Sequence, residues 1–244
     1  MKAGVYWGLA RKGAVMASYG QFCPMAKAME ILDERWTLLV IRELLLGSTH
    51  FNDLRRGNLR MSPALLAKRL RTLEHAGIIR RDVIDGRTRY TPTEAGRELA
   101  PVVQALQEWG VRWVAGLGAQ DLDPHLLLWD MKRTMSADRW PASHTVVAIT
   151  FKDLTTRTAR WWICVREGEI DVCDYDPGFE VTAHLTSTLR TLSEIWRGDQ
   201  SWSTAMRDGL VDINACRAVR GELPGWFGQS SAALVPRPKR VATA

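Results

Sequence analysis

Arg60-Met61-Ser62-Pro63-Ala64-Leu65-Leu66-Ala67-Lys68-Arg69-Leu70-Arg71-Thr72-Leu73, followed by Gly77-Ile78-Ile79-Arg80-Arg81 and Asp85-Gly86, is the stretch on which the fold turns. Ser62 suits an N-cap, because its hydroxyl can accept from a free amide of the first turn. Pro63 suits the first helical position, where a missing N–H costs nothing. Leu66, Leu70 and Leu73 recur at i, i+4 and i+7 and form one buried stripe. Ala64, Lys68, Arg69, Arg71 and Thr72 are left away from that stripe. His75-Ala76-Gly77 closes the helix. Ile78 to Ile84 and Arg87 to Tyr90 read as strands joined at Asp85-Gly86, a strong hairpin signal. A basic helix followed by a short hairpin with basic residues on both strands is a winged-helix pattern.

The flanking sequence extends this unit. Pro24 to Leu32 reads as a short helix with Cys23 near its N-cap. Trp36 to Leu46 reads as a second helix, with Trp36, Leu39, Val40, Glu43 and Leu44 at helical spacing. Phe51 to Arg56 is a third, broken by Gly57-Asn58. Thr91-Pro92-Thr93 starts a long helix whose Leu99, Val102, Val103, Leu106, Trp109 and Trp113 make a wide apolar face. Gly110 interrupts that pattern. So apolar a helix after so small a unit needs a partner, and the same helix of a second subunit is the preferred one.

Among 244 residues, 46% are apolar, enough to fill real cores and to exclude global disorder. No run of 18 apolar residues exists, so no membrane span is expected. Lys2 and Arg11-Lys12 flank too short an apolar stretch for a signal peptide. Residues 1–18 are expected to be flexible, and the location cytoplasmic and nucleoid-associated. The net charge of +6 is unevenly spread: residues 20–116 carry +4, residues 117–228 carry −4, and 55–89 alone carry +7. A polyanion would be drawn to one segment and repelled by the second half. Cys23, Cys164, Cys173 and Cys216 show no CxxC spacing, and His50, His75, His125, His144 and His184 show no ligand spacing. Neither a metal site nor a cofactor is indicated. No phosphate loop, nucleophile elbow or carboxylate pair stands out, so an enzyme is not expected.

Gly116 to Pro124 reads as a linker. Beyond it, His144 to Lys152 and Arg160 to Arg166 read as strands, with Gly168-Glu169 turning into Ile170 to Tyr175. That turn would set Cys164 directly opposite Cys173. Phe179 to Ala183 reads as a further strand, Thr186 to Arg197 and Ser201 to Asp208 as helices, Leu210 to Ile213 as a strand and Ala215 to Glu222 as a last helix. The expected architecture is a mainly α winged helix-turn-helix domain over 19–116 and a separate α+β domain over 125–228. A basic flexible tail, 229–244, would follow.

Residues Tyr19 to about Trp113 resemble the HxlR family of bacterial winged-helix regulators. The resemblance is carried by Cys23-Pro24, Trp36-Thr37-Leu38-Leu39, Phe51-Asn52-Asp53-Leu54, Ser62 with Leu66, Lys68-Arg69-Leu70 and Leu73. Gly77-Ile78-Ile79-Arg80, Tyr90 and Thr93-Glu94-Ala95-Gly96 complete it. It implies a homodimer on a palindromic double-stranded operator, with the fourth helix in the major groove and the wing on phosphate or the minor groove. The second half more weakly resembles a sterol-carrier-protein-type domain. That likeness rests on the three-strand start, Thr186 to Arg197, Arg197-Gly198, and Met206-Arg207-Asp208-Gly209-Leu210-Val211, and implies an apolar cavity for lipid-like ligands.

The DNA-contact candidates are therefore Ser62, Pro63, Ala64, Lys68, Arg69, Arg71 and Thr72 on the helix, with Arg87, Thr88 and Arg89 in the wing. Ala64 and Lys68 are assigned to base edges, Arg69 and Arg71 to phosphate. Cys23 is a candidate redox sensor, since a thiol at a helix start tends toward a lowered pKa. The resemblance adds that some family members sense oxidants or electrophiles there. The other reading of Cys23 is a small, inert packed residue. Trp129, Trp161, Trp162 and Trp196 are candidates for lining a pocket for a small apolar ligand. The reading that results is a regulator whose DNA binding responds to that ligand. Its alternatives are the same DNA binder with a purely structural second domain and Cys23 sensing, or a lipid-binding carrier.

Overall fold

The computed structural model describes residues 18–114, 116–141, 144–155 and 157–237. The first unit runs α1 (Pro24–Leu32), α2 (Thr37–Leu45), α3 (Phe51–Arg56), α4 (Pro63–His75), β1 (Ile79–Ile84), β2 (Arg87–Pro92), α5 (Glu94–Arg97) and α6 (Ala100–Trp113). Val40, Ile41 and Leu44 of α2 meet Leu54 of α3, Leu66, Leu70 and Leu73 of α4, and Ile79 of β1 in one closed core. Each such side chain contributes about 2 kcal/mol on burial. Asp85 (φ 50°) and Gly86 (φ 71°) both turn left-handed, as the tight turn between β1 and β2 demands. The hairpin is anchored at its base, where the Tyr90 amide donates to the Thr49 carbonyl at 2.7 Å. Trp36 is not a helical residue as the spacing suggested. It caps α2 with φ 80°, and Leu39 is left 48% exposed.

The second unit runs α7 (Pro124–Thr134), β3 (Thr145–Phe151), β4 (Arg160–Arg166), β5 (Glu169–Cys173), β6 (Ala183–Ser187), α8 (Leu189–Arg197), α9 (Trp202–Arg207), β7 (Val211–Asn214) and α10 (Arg217–Trp226). Its sheet has the order β5-β4-β3-β6-β7. Only β3 and β6 pair in parallel; the other pairs are antiparallel. Val147, Ile149, Trp161, Ile163 and Leu185 point to one face and are covered by α7, α8 and the end of α10. This is an α+β unit, as its strand and helix order implied.

Several details depart from the sequence reading. α7 was not foreseen, although Asp123 caps it by accepting from the amides of His125 (2.9 Å) and Leu126 (3.2 Å). β6 begins at Ala183 and α8 at Leu189, because Thr186 and Ser187 extend the sheet instead of opening the helix. The turn after β4 is Glu167-Gly168, both left-handed, so Cys164 pairs with Asp171 and Cys173 with Trp162. The register differs by two, which keeps both thiols on one face but makes them diagonal neighbours. Residues 229–237 are not a free tail: Ala232 and Val235 are buried, and Arg237 pairs with Asp199 at 2.8 Å. The expected flexibility of 1–17 and 238–244 concerns stretches outside the described residues.

The two units are joined by ions. Glu43 of α2 has a side chain with no exposure. Its carboxylate accepts from Arg42 at 2.9 Å, from Arg133 of α7, and from the Trp129 indole N–H at 3.4 Å. Arg42 and Arg133 also reach Asp130, at 2.8 and 3.0 Å, and Arg133 donates to Ser48 at 3.0 Å. Gly57 makes room for the cluster, since a Cβ there would lie 1.9 Å from the Glu43 carboxylate carbon. Burial pushes the Asp130 carboxyl above its usual value, against the pull of Arg42. Stability from that group is thus present below its unfolded pKa and is lost as pH rises through the folded one. Removing one partner of a buried pair strands the other charge. Arg133→Met is expected to lower stability by about 3–5 kcal/mol, read as a loss in the denaturant midpoint. A loss within about 1 kcal/mol would assign the junction to apolar packing instead.

Candidate nucleic-acid interface

α3 and α4 form a helix-turn-helix, and the hairpin β1–β2 is its wing. Ser62 caps α4 as expected, its Oγ accepting from the Leu65 amide at 3.3 Å. Ser62, Pro63, Ala64, Lys68 and Arg71 are exposed along one side of the helix, and Thr72 is half-buried with its hydroxyl donating to the Lys68 carbonyl.

Arg69 corrects the sequence reading. It is 6% exposed and points inward. Its guanidinium donates to Glu34 and, through Nε at 3.1 Å, to the Arg35 carbonyl. It therefore holds α4 to the turn between α1 and α2, next to the left-handed Trp36, a backbone state that a bulky residue keeps only when its surroundings impose it. A phosphate cannot reach a guanidinium so enclosed. The signal was in the sequence: Arg69 stands at i+3 from Leu66 and i−4 from Leu73, inside the stripe.

In the wing, strand register sorts the side chains. Arg89 opposes Asp82 and Arg87 opposes Ile84. Because alternate residues share a face, Arg80, Arg87 and Arg89 line up on one side, with Asp82 pairing to Arg80 at 2.8 Å. Thr88 turns to the other face with Val83. Arg87 and Arg89 border a shallow depression of about 320 Å3 closed by His50, at the start of α3. Arg80 and His50 were not singled out from sequence. Strand alternation would have found Arg80, but only the Tyr90–Thr49 anchor brings His50 to the wing.

Cys23 is exposed at the start of α1. The backbone amides of Ala26 and Met25 face its thiol and hold its pKa below the ordinary value. Cys164 is the opposite case: burial, with Cys173 beside it, pushes its thiol up to about 11. Two of the four tryptophan candidates, Trp129 and Trp161, border one depression of about 320 Å3 together with His125 and Val172, while Trp196 borders a separate cleft. Trp161 is core, its indole N–H donating to the Thr158 carbonyl at 2.7 Å. Trp129 lies on the junction against Arg133, and Trp196 donates to Thr134 at 3.2 Å. Trp162 sits on the opposite face of β4 from Trp161, as strand alternation requires. Among the described residues no group of three or more His, Cys, Asp or Glu is placed to hold a metal ion, and no helix is long and apolar enough to cross a membrane.

A capped helix with an open basic side, set behind a second helix and beside an arginine-lined hairpin, defines a winged helix-turn-helix of the DNA-binding class. The model of the HxlR-like helix-turn-helix family matches residues 31–116. The HTH-type transcriptional regulator YvaP of Bacillus subtilis (strain 168) is 35% identical over 98 residues, which cover 38% of this chain and 91% of that one. The regulator sll1512 of Synechocystis sp. is 39% identical over 98 residues, covering 39% of this chain and 73% of that one. The reduced form of the regulator YodB from B. subtilis aligns over 38% of this chain and 96% of its own, at 32% identity and a TM-score of 0.35. The chain belongs to the HxlR-like helix-turn-helix family, whose relatives here are transcriptional regulators and not enzymes.

The inward turn of Arg69 carries a test. Arg69→Ala is expected to cost about 1–3 kcal/mol through the stranded Arg35 carbonyl and Glu34. A thermal melt indistinguishable from the parent protein would mean that the side chain has no such structural role.

Proposed function

We propose that this chain binds a palindromic operator as a homodimer, with α4 in the major groove and the wing on the flanking backbone. The observation that carries the reading is the shared outward exposure of Lys68 and Arg71 on α4 and of Arg80, Arg87 and Arg89 on the wing. Amides at the start of α4 and these cations neutralise phosphates and release counterions, which sets affinity and orientation. Ala64 and Lys68, near the start of the helix, read base edges. Arg71 takes the phosphate role, and Arg69 supports the helix from behind.

Dimerisation is supported by two helices that bury no residue within one chain, α1 and α6. Val102, Leu106, Trp109 and Trp113 are 44–61% exposed along α6, a large apolar face for a monomer to leave in water. A second copy of α6 is its partner in this reading. The α+β unit is assigned to the sterol-carrier type, supported by three antiparallel strands followed by a crossover strand, a helix pair and a return strand. Its role is to receive a small, largely apolar ligand and bias the dimer between DNA-competent and incompetent states.

In DNA titrations at increasing salt, Arg71→Ala and Arg89→Ala are each expected to reduce the slope of log affinity against log salt by about 0.9. Arg69→Ala is expected to leave the slope unchanged. Trp109→Glu should give a monomer that no longer holds the paired half-sites. Unaltered slopes for both Arg71→Ala and Arg89→Ala would overturn the interface as drawn.

A second reading is favoured by the exposure of Cys23 and its lowered thiol pKa: the thiolate reacts with oxidants or electrophiles and alters operator binding. Iodoacetamide labelling at rising pH should show Cys23 reacting at lower pH than Cys164. Operator affinity unmoved by peroxide or quinone would remove this reading.

A further inference from the structure

The junction of the two units encloses a cleft of about 420 Å3, bounded by α2 and α6 on one side and by α7, α8 and the turn at Ser231–Leu234 on the other. That volume is within the range of sites for small organic ligands. Leu46, Val111, Val114 and Trp196 give it an apolar wall. Arg42 and Arg197 reach it with side chains 25% and 26% exposed. Arg42 commits one N–H to Glu43 and another to Asp130, and a guanidinium has further donors in the same plane. Asp130, the carboxylate on the lining, is engaged by Arg42 and Arg133. Arg197 directs its Nε to Asp199 at 2.9 Å, which leaves its terminal nitrogens as further donors. The cleft therefore pairs an apolar wall with cations that retain donors.

Gly110 borders the space. It lies within α6, where glycine costs about 1 kcal/mol against alanine. A Cβ added there would meet nothing within 4 Å, so the helix faces open space at this point and a longer side chain would enter it. Helical geometry separates this side from the exposed apolar one: Gln107, Gly110 and Val111 are turned by about 120° from Val102, Leu106, Trp109 and Trp113, and Val114 follows as the extended cap residue. One helix thus carries the cleft wall and the dimer face. The Gln107 amide donates to the Ser231 hydroxyl at 3.1 Å, joining two residues of the cleft lining that come from the two sides.

We propose that this cleft binds one small amphipathic organic acid per chain, its apolar body against Val111, Val114 and Trp196 and its carboxylate toward Arg42 and Arg197. The site is lined by residues of both units and refines where the ligand assigned above to the second unit is held. Occupancy moves α6 relative to α7 and α8, and so reaches the helix on which the dimer depends. Only that last step rests on the function proposed above; binding itself is independent of it.

The test is calorimetric titration of the full-length protein, without DNA, by octanoate, 1-octanol and octylamine. Octanoate is expected to bind once per chain, and the alcohol and the amine at least about tenfold more weakly. Gly110→Leu fills the cleft from the helix side and Ser231→Leu from the opposite wall. Each is expected to abolish octanoate binding while circular dichroism shows the parent fold. Absence of octanoate binding to the parent protein overturns the site. Equal binding of 1-octanol overturns the acid specificity. Octanoate affinity kept within about twofold by a folded filled variant places the ligand elsewhere and overturns the assignment. Because DNA is absent throughout, failure here leaves the operator reading standing, and loss of the salt slopes leaves this one standing.

Discussion

A carboxylate sealed from water is the constraint around which this molecule is arranged. Glu43 sits in a helix of the first unit, among side chains that pack the helix-turn-helix core. Left with Arg42 alone, it would pay a desolvation cost of several kcal/mol that one partly exposed cation does not offset. Arg133, Trp129 and Ser48 supply the remaining bonds, and two of those three come from α7. The first unit is therefore completed by the second. The absence of a side chain at Gly57 belongs to the same arrangement, because the carboxylate occupies the space that any Cβ would need.

The winged half was largely legible in the sequence because its signals are local. Ser62-Pro63 starts α4, the leucines set its buried face, and Asp85-Gly86 joins the wing strands. Each rests on contacts a few residues apart. The reading went astray where a charged type was taken as proof of exposure. Arg69 falls inside the leucine stripe by spacing, but its charge set it outside. Its partners, Glu34 and the Arg35 carbonyl, lie more than thirty residues earlier, and nothing local points to them.

The second half was legible in its order of elements and less so in its details. Gly168-Glu169 and Glu167-Gly168 are both acceptable hairpin turns, and a shift of two preserves every inward and outward side chain. Hydrophobic alternation therefore cannot choose between them. The choice decides whether Cys164 faces Cys173 directly or lies diagonal to it. α7 follows directly on the segment read as a linker and was not read as an element, although Asp123-Pro124 is a sound helix start. The junction was out of reach altogether, since Glu43 and Arg133 are 90 residues apart and each alone looks like an ordinary surface charge. The tryptophans teach the same lesson: Trp161 is core and Trp196 borders a cleft, and composition treats them alike.

The division of charge between the halves has a kinetic consequence. With +4 on residues 20–116 and −4 on residues 117–228, offset in part by the +3 of residues 229–244, the charge of the chain is unevenly divided between its halves. A polyanionic rod exerts a torque on such a body before any contact is made. In the operator-binding reading proposed above, this division favours approaches led by the basic wing over approaches led by the acidic unit. Such steering raises the fraction of encounters that are productive, and it fades as salt shortens the reach of the field. In that reading, part of the salt dependence of association belongs to the second unit, away from the proposed DNA-contacting helix and wing.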